Sequence, residues 1–327
     1  MLAASEPTDE PGDEWNGSTA TRVRLSLLTI VVFFGGSLSC YKLASRSFGP
    51  GTTNLIRFTI AAAGLAFVAR GRMGHLSVAD RRTANRRLFT LGALGIGVMA
   101  ATMAIGVDKG SAVIASIVVG LEPVGVALAG VLVIGDRPAI NSKIALVLGG
   151  LSVVIASGLF LDPIDQVPVV SILLLLTTVI SFSLYSAFVR RAAQGIDPLV
   201  VAAQTQLGAL LVVIPSCLLD FRSGGMIRGD LNSIEPKALF GVVFLGVGSA
   251  IAYLLLCVVL ARQSSNRVAV SMFLTPVFGV LFSWLLAGEN LRWRDGVAGL
   301  VVLAAVYVNE WAPQLTRRAT APVRQPL

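Results

Sequence analysis

The sequence predicts an all-α polytopic membrane protein whose ten transmembrane helices form two inverted five-helix repeats. Three observations predict it. Of 327 residues, 55% are hydrophobic and 13% are charged, with a mean hydropathy of +0.80, whereas a soluble domain carries about 25% charged residues. A water-soluble chain of this length needs a large polar surface that this composition does not supply, which excludes a cytosolic enzyme, a disordered chain and a disulfide scaffold. The apolar residues fall into ten runs of membrane-crossing length, about 20 residues each with a range of about 17–25. The second half of the chain also repeats the first.

In chain order, residues 1–21 are acidic and polar, with Glu6, Asp9, Glu10, Asp13 and Glu14 among Pro and Gly, and are expected to be a disordered tail. No basic segment precedes a cleavable apolar stretch, so no signal peptide is expected. The helices are expected near 25–44, 52–69, 88–107, 111–134, 142–161, 168–188, 198–219, 238–260, 266–287 and 294–311. Short connections leave no room for a soluble domain between them. Gly135-Asp136-Arg137-Pro138 makes a compact turn after the fourth, and 312–327 forms a second tail.

The net charge is +8, from 26 Lys and Arg against 18 Asp and Glu. These cations fall between apolar runs and not in a stripe interleaved with aromatics, so the charge speaks for loops beside a membrane and against nucleic acid. With the N-terminus inside, 17 cations face the cytoplasm and seven face out. Six of the 17 lie between residues 70 and 87. The expected topology therefore has both termini cytoplasmic in the cell membrane, with the basic 70–87 segment touching anionic lipid. Cys40, Cys217 and Cys257 all sit inside apolar runs and read as small core or lipid-facing residues. His75 is the single histidine, which argues against a metal site; no cofactor is implied.

The repeat is carried by Leu121-Glu122-Pro123-Val124, running on to Gly135-Asp136, and Leu274-Thr275-Pro276-Val277, running on to Gly288-Glu289. The two align without a gap at an offset of 153, and the Pro50 and Pro198 regions align at 148, which sets Lys42 opposite Arg190. This divides the chain into repeats at 22–161 and 162–311. Five helices is an odd number, so the second copy enters the membrane the other way up. Transporters built in this manner bind near the midplane between repeats.

These segments resemble the drug/metabolite transporter superfamily, in particular its ten-helix members built from two EamA domains. The residues that carry the likeness are Phe33-Phe34-Gly35-Gly36-Ser37 with Tyr41-Lys42, then Pro50 with Arg57-Phe58, then the two Leu-x-Pro-Val runs with their Gly-acid turns. No one motif is specific, but the ordered set is. The resemblance implies a secondary transporter exporting a small metabolite, amino acid or drug-like compound by alternating access. Gly35 stands where the family usually has Trp, and Asp136 where it usually has Glu. Helix one also lacks the glutamate that related four-helix multidrug transporters use for proton coupling.

Among residues that can carry chemistry, Glu122 falls about eleven residues into helix four, near mid-bilayer at about 1.5 Å per residue, with the helix-breaking Pro123 beside it. An acid next to freed backbone suits a cation, an amine or a proton. Lys42 and Arg57 lie toward the outer ends of helices one and two and form a candidate anion-binding pair, against the alternative that both snorkel to headgroups. Gln206, Thr275 and Tyr185 are uncharged polar groups inside helices and candidate cavity residues, and Pro276 is the second helix break. The glycines of helices three, four and eight read as close-packing positions. The expected partners are a small-molecule substrate, membrane lipid and a coupled proton, in a monomer or homodimer. Two alternatives remain open: a lipid flippase of the same architecture, and a membrane-embedded lipid-linked transferase. The second lacks the paired carboxylates or His-acid pair it needs. No Gly-x-x-x-x-Gly-Lys-Ser/Thr run is present to couple ATP directly.

Overall fold

Hydrocarbon offers backbone N–H and C=O groups no water, so a chain crossing it must satisfy them within each segment, which a helix does. The computed structural model describes residues 17–70, 78–109, 118–136, 138, 140–157, 169–222, 225–228, 234–261, 265–287 and 293–310. Among them the chain is helical nearly throughout, and β structure is limited to one antiparallel bridge between Phe48 and Ile227.

The helices are α1 (Gly17–Ala44), α2 (Pro50–Ala69), α3 (78–109), α4 (Glu122–Ile134), α5 (Ile140–Ser157), α6 (Val169–Ala192), α7 (Pro198–Arg222), α8 (Pro236–Leu260), α9 (Ser265–Met272), α10 (275–287) and α11 (Trp293–Glu310). Among the described residues, seven helical segments are long and apolar enough to cross a membrane, one of them made of α9 and α10 across the turn at 273–274. Three shorter apolar helices, Glu122–Ile134, Ile140–Ser152 and Gly296–Val308, accompany them. The chain is an all-α polytopic membrane protein.

Three boundaries differ from the sequence expectation. Helix α1 begins at Gly17, inside the segment expected to be a disordered tail; residues 1–16 and the tail at 312–327 lie outside the described residues. Helix α3 begins at Val78, so the basic segment expected as a loop is largely a helical extension. The fourth helix, expected from 111, is described as a helix from Glu122; residues 110–117 lie outside the described residues.

Packing is reciprocal between the halves. Helix α1 packs on α8 and α10, while α6 packs on α3 and α4; α2 packs on α8 while α7 packs on α3. Two further pairs, α2 with α7 and α5 with α11, map onto themselves when the halves are exchanged, and α4 also packs on α9. The main apolar core lies among α1, α2, α3, α6, α7 and α8, with Phe58, Ile96, Phe182, Tyr185 and Tyr253 fully or almost fully buried. Leu132, Val147 and Leu300 are 74%, 72% and 69% exposed, an outward apolar surface that would associate in water and that lipid solvates.

Candidate functional site

Both repeats break a helix at the same place. Helix α4 starts at Glu122 with Pro123 second, and α10 starts at Thr275 with Pro276 second. Proline lacks the N–H that would bind the preceding turn, so it ends one helix while fitting the first turn of the next. The flanking hydrogen bonds correspond one to one: Leu121 N–H donates to Val118 O at 3.1 Å as Leu274 N–H donates to Ser271 O at 3.1 Å. Gly125 N–H likewise donates to Leu121 O at 3.0 Å, and Phe278 N–H to Leu274 O at 3.2 Å. Each half-helix ends in a π-helical turn, Gly130–Ile134 and Ser283–Ala287, again at the 153-residue offset. Gly135 then closes α4 in the left-handed region, with φ of 81°. Half-helix N-termini carry the positive end of the helix dipole, and Glu122 sits half-buried on one of them. The Thr275 hydroxyl is buried without a hydrogen-bond partner among the described residues. The side chain of Pro276 lies outside the described residues.

Two close crossings seat these half-helices. A Cβ on Gly35 of α1 would lie 2.6 Å from Phe278 Cβ and 2.7 Å from Thr275 O. The backbone of α10 thus occupies the space a tryptophan would need, which accounts for glycine at this position. On the reciprocal pair, a Cβ on Gly125 of α4 would collide with Ser183 Oγ of α6. One glycine serves each crossing, carried by the full helix in one case and by the half-helix in the other.

Arg57 is 7% exposed and centres a polar cluster on α1, α2, α3 and α8. Its Nε–H donates to Ser249 Oγ at 2.6 Å and its Nη1–H to the Tyr41 hydroxyl at 3.3 Å. The guanidinium also lies over the Tyr41 and Phe58 rings, at 5.6 and 5.2 Å from their centroids. Tyr41 donates in turn to Asn54 Oδ1, and Asn54 Nδ2–H donates to Ala100 O at 3.0 Å. Among the described residues no carboxylate lies within ion-pair range of Arg57. Two hydroxyls occupy two of the five guanidinium N–H donors. Tyr253 of α8 is almost fully buried in the interior between α1, α6 and α8.

Aromatic rings line that interior. Phe34 stands edge-on to Phe182 at 6.3 Å and to Tyr253 at 5.6 Å, and Tyr185 meets Tyr253 at 6.3 Å between centroids. Tyr185 is fully buried, with its hydroxyl 3.3 Å from Thr205 Oγ1 and 3.8 Å from Cys257 Sγ. Ser183, one residue from Phe182, buries a hydroxyl with no hydrogen-bond partner among the described residues.

Tyr185 belongs to the ring cluster through Tyr253, Arg57 to the polar cluster with Tyr41 and Ser249, and Glu122 stands at the start of the first half-helix. Lys42 is not part of the polar cluster. It follows Tyr41 directly and so lies about 100° around α1, on an exposed face. Gln206 is fully buried on α7, and neither atom of its amide has a hydrogen-bond partner among the described residues. The three cysteines are buried and free. No group of three or more potential metal ligands occurs among the described residues.

The two ends of the bundle are built differently. At the end the charge bias assigns outside, the α1–α2 and α7–α8 connections are tied together. Gly49 N–H donates to Met226 O at 3.1 Å, Arg228 N–H to Ser47 O at 2.9 Å, and Arg46 pairs with Glu235 at 3.4 Å. Asp220 caps α2 from α7. At the other end one guanidinium nitrogen of Arg190, Nη1, donates to both Asp136 oxygens, at 2.8 and 2.9 Å, a charge-assisted contact.

Sequence reasoning missed Asn54, Ser249 and Asp220. Asn54 was within reach, since it precedes Arg57 by three residues and so shares its helix face. Ser249 and Asp220 act across 192 and 168 residues of chain, and no local pattern marks them.

Two relatives span most of the chain. An uncharacterized transporter of Archaeoglobus fulgidus is 23% identical over 286 residues, covering 86% of this chain and 96% of the relative. An uncharacterized transporter of Methanothermobacter thermautotrophicus is 21% identical over 301 residues, covering 88% and 85%. A solved crystal structure superposes with a TM-score of 0.73 over 92% of this chain and 99% of its own, at 17% identity, a likeness of fold alone. The EamA-like transporter family matches twice, over residues 22–158 and 169–310. The two matches place one helix break in each, and the chain belongs to the EamA-like transporter family.

Proposed function

We propose that the chain is a secondary transporter that exports a small metabolite, amino acid or drug-like compound across the cell membrane by alternating access. In this reading ten spans form two inverted five-helix units, at 22–161 and 162–311, with both termini cytoplasmic. The observation that carries it is the buried Arg57 guanidinium, held by hydroxyls and ring faces and by no carboxylate among the described residues. An ionised group inside a bilayer costs at least about 2.5 kcal/mol and belongs on a substrate or ion path. Arg57 binds an anionic group of the substrate. Glu122, on the first half-helix, exchanges a proton or binds an amine, and the Phe34, Phe182, Tyr185 and Tyr253 rings enclose the apolar part. Thr275 replaces the acid in the second repeat, so one carboxylate serves the cycle. Both units lie in one chain, so a single copy holds the whole site.

The test begins with an untargeted comparison of metabolites inside and outside cells with and without the gene. The solute that accumulates inside on deletion is then offered to purified protein in vesicles. Flux that needs the protein and is lost in Arg57→Gln supports the reading. Absence of protein-dependent flux for every such solute overturns it.

A further inference from the structure

A groove of about 950 Å³ runs along the junction of α3 and α6. Its floor is Gly95 against Tyr185, where glycine lets the two helices touch: a Cβ on Gly95 would lie 2.6 Å from Tyr185 Cβ. Its rims are Leu94, Leu184 and Phe188, which are 63%, 40% and 43% exposed. These rims sit on helices of membrane-crossing length, so the groove opens sideways onto lipid and not into water. One end is different in kind: Arg86, Arg87 and Arg191 line it, with Gln194 and Thr90 among them. All three arginines are exposed.

We propose that this groove binds one anionic phospholipid, with its phosphate held by Arg86, Arg87 and Arg191 and an acyl chain laid between Leu94, Leu184 and Phe188. The argument is one of paired chemistry. Arginine forks match phosphate oxygens, and the apolar rims lie along the same groove from the same end. A soluble phosphate would satisfy the arginines and leave the apolar length empty. A neutral lipid would fill the length and leave three cations without a counter-charge. An anionic phospholipid does both. The proposal does not depend on which solute is carried.

The test uses the full chain in nanodiscs containing phosphatidylglycerol and phosphatidylcholine, with native mass spectrometry counting the lipid retained after mild delipidation. The wild type should keep one phosphatidylglycerol in preference to phosphatidylcholine. Each cation near an anionic headgroup is worth about fivefold in binding, so Arg86→Gln/Arg87→Gln/Arg191→Gln together should lower retention on the order of a hundredfold. Leu94→Trp keeps every charge but blocks the groove, and should lower retention as well. Removal of three exposed cations at the other end, Arg222→Gln/Arg228→Gln/Lys237→Gln, should leave retention unchanged. Full retention in either groove variant, equal loss in the distal variant, or displacement of the lipid by millimolar glycerol phosphate would each overturn the proposal.

Discussion

Asp220, at the end of α7, caps the first turn of α2: its Oδ2 accepts from Thr52 N–H at 2.8 Å and from the Thr52 hydroxyl at 3.2 Å. The two residues stand 168 apart in sequence and in different halves of the chain. The reciprocal helix, α7, is capped locally, with Asp197 Oδ1 accepting from Leu199 N–H at 2.8 Å. At the offset of 148, Gly49 occupies the position of Asp197, and a Cβ there would collide with the Asp220 carboxylate. One half thus supplies the cap that the other has given up for a close approach. Asp220→Ala should destabilise the protein by about 1 kcal/mol, the usual worth of an N-cap, and Asp220→Asn, which keeps an acceptor, by less. Thermal unfolding in detergent ranks the two. Equal stability of Asp220→Ala and wild type would remove the cap from the account.

The crossing of α1 and α10 gives a second prediction. Gly35→Ala must push Phe278 and the Thr275 carbonyl aside, at about 1–3 kcal/mol for overpacking. Gly64→Ala meets nothing within 4 Å and should be neutral or stabilising by up to about 1 kcal/mol, since alanine favours helix. A pair of melting curves separates them, and a harmless Gly35→Ala would contradict the packing described.

Arg57 is the third. Arg57→Gln should weaken solute binding while expression and thermal stability stay near wild type. Arg57→Lys should restore binding in part, because lysine supplies the charge without the fork. Ser249→Ala removes one guanidinium partner and should fall between wild type and Arg57→Gln. Wild-type flux in both Arg57 variants would reduce the residue to a structural cation.

For Glu122 the informative change is Glu122→Gln, which keeps size and hydrogen bonding and removes titration. Transport driven by a pH gradient should be lost. Solute counterflow, which moves no net proton, should survive if Glu122 couples and fail if it binds the substrate's amine. Unchanged pH-driven flux would mean that the residue is structural.

Topology is the fifth. In a background lacking Cys40, Cys217 and Cys257, single cysteines at the exposed positions Gln194 and Lys237 should react with an impermeant thiol reagent from opposite faces of the membrane. Labelling of both from one face would overturn the assignment made from the charges.

Much of the fold was legible because its cause is compositional. Apolar runs of fixed length announce helices in lipid. Pro123 and Pro276 announce breaks wherever they stand, since a missing N–H acts locally. Arg57 and Glu122 stood out because ionised groups inside apolar runs are costly and therefore rare. Helix ends were less legible: α3 extends back to Val78 through Asp80 to Arg87, a polar stretch that water solvates as readily as a loop.

What the sequence by itself determined about this protein is its class, its doubled plan and which of its charges fall inside apolar runs, because hydropathy, proline and a shared offset are properties of short windows. What only the tertiary structure decided is which of those charges meet. Tyr41 and Lys42 are neighbours in the chain, yet a helix turns each residue about 100° from the last, so Tyr41 holds Arg57 and Lys42 lies on an exposed face. Ser249 reaches Arg57, and Asp220 reaches Thr52, because α8 and α7 pack on α2. A hydrogen bond is set by a few ångströms of packing across the two halves of the chain, and one strand of sequence carries no record of that distance.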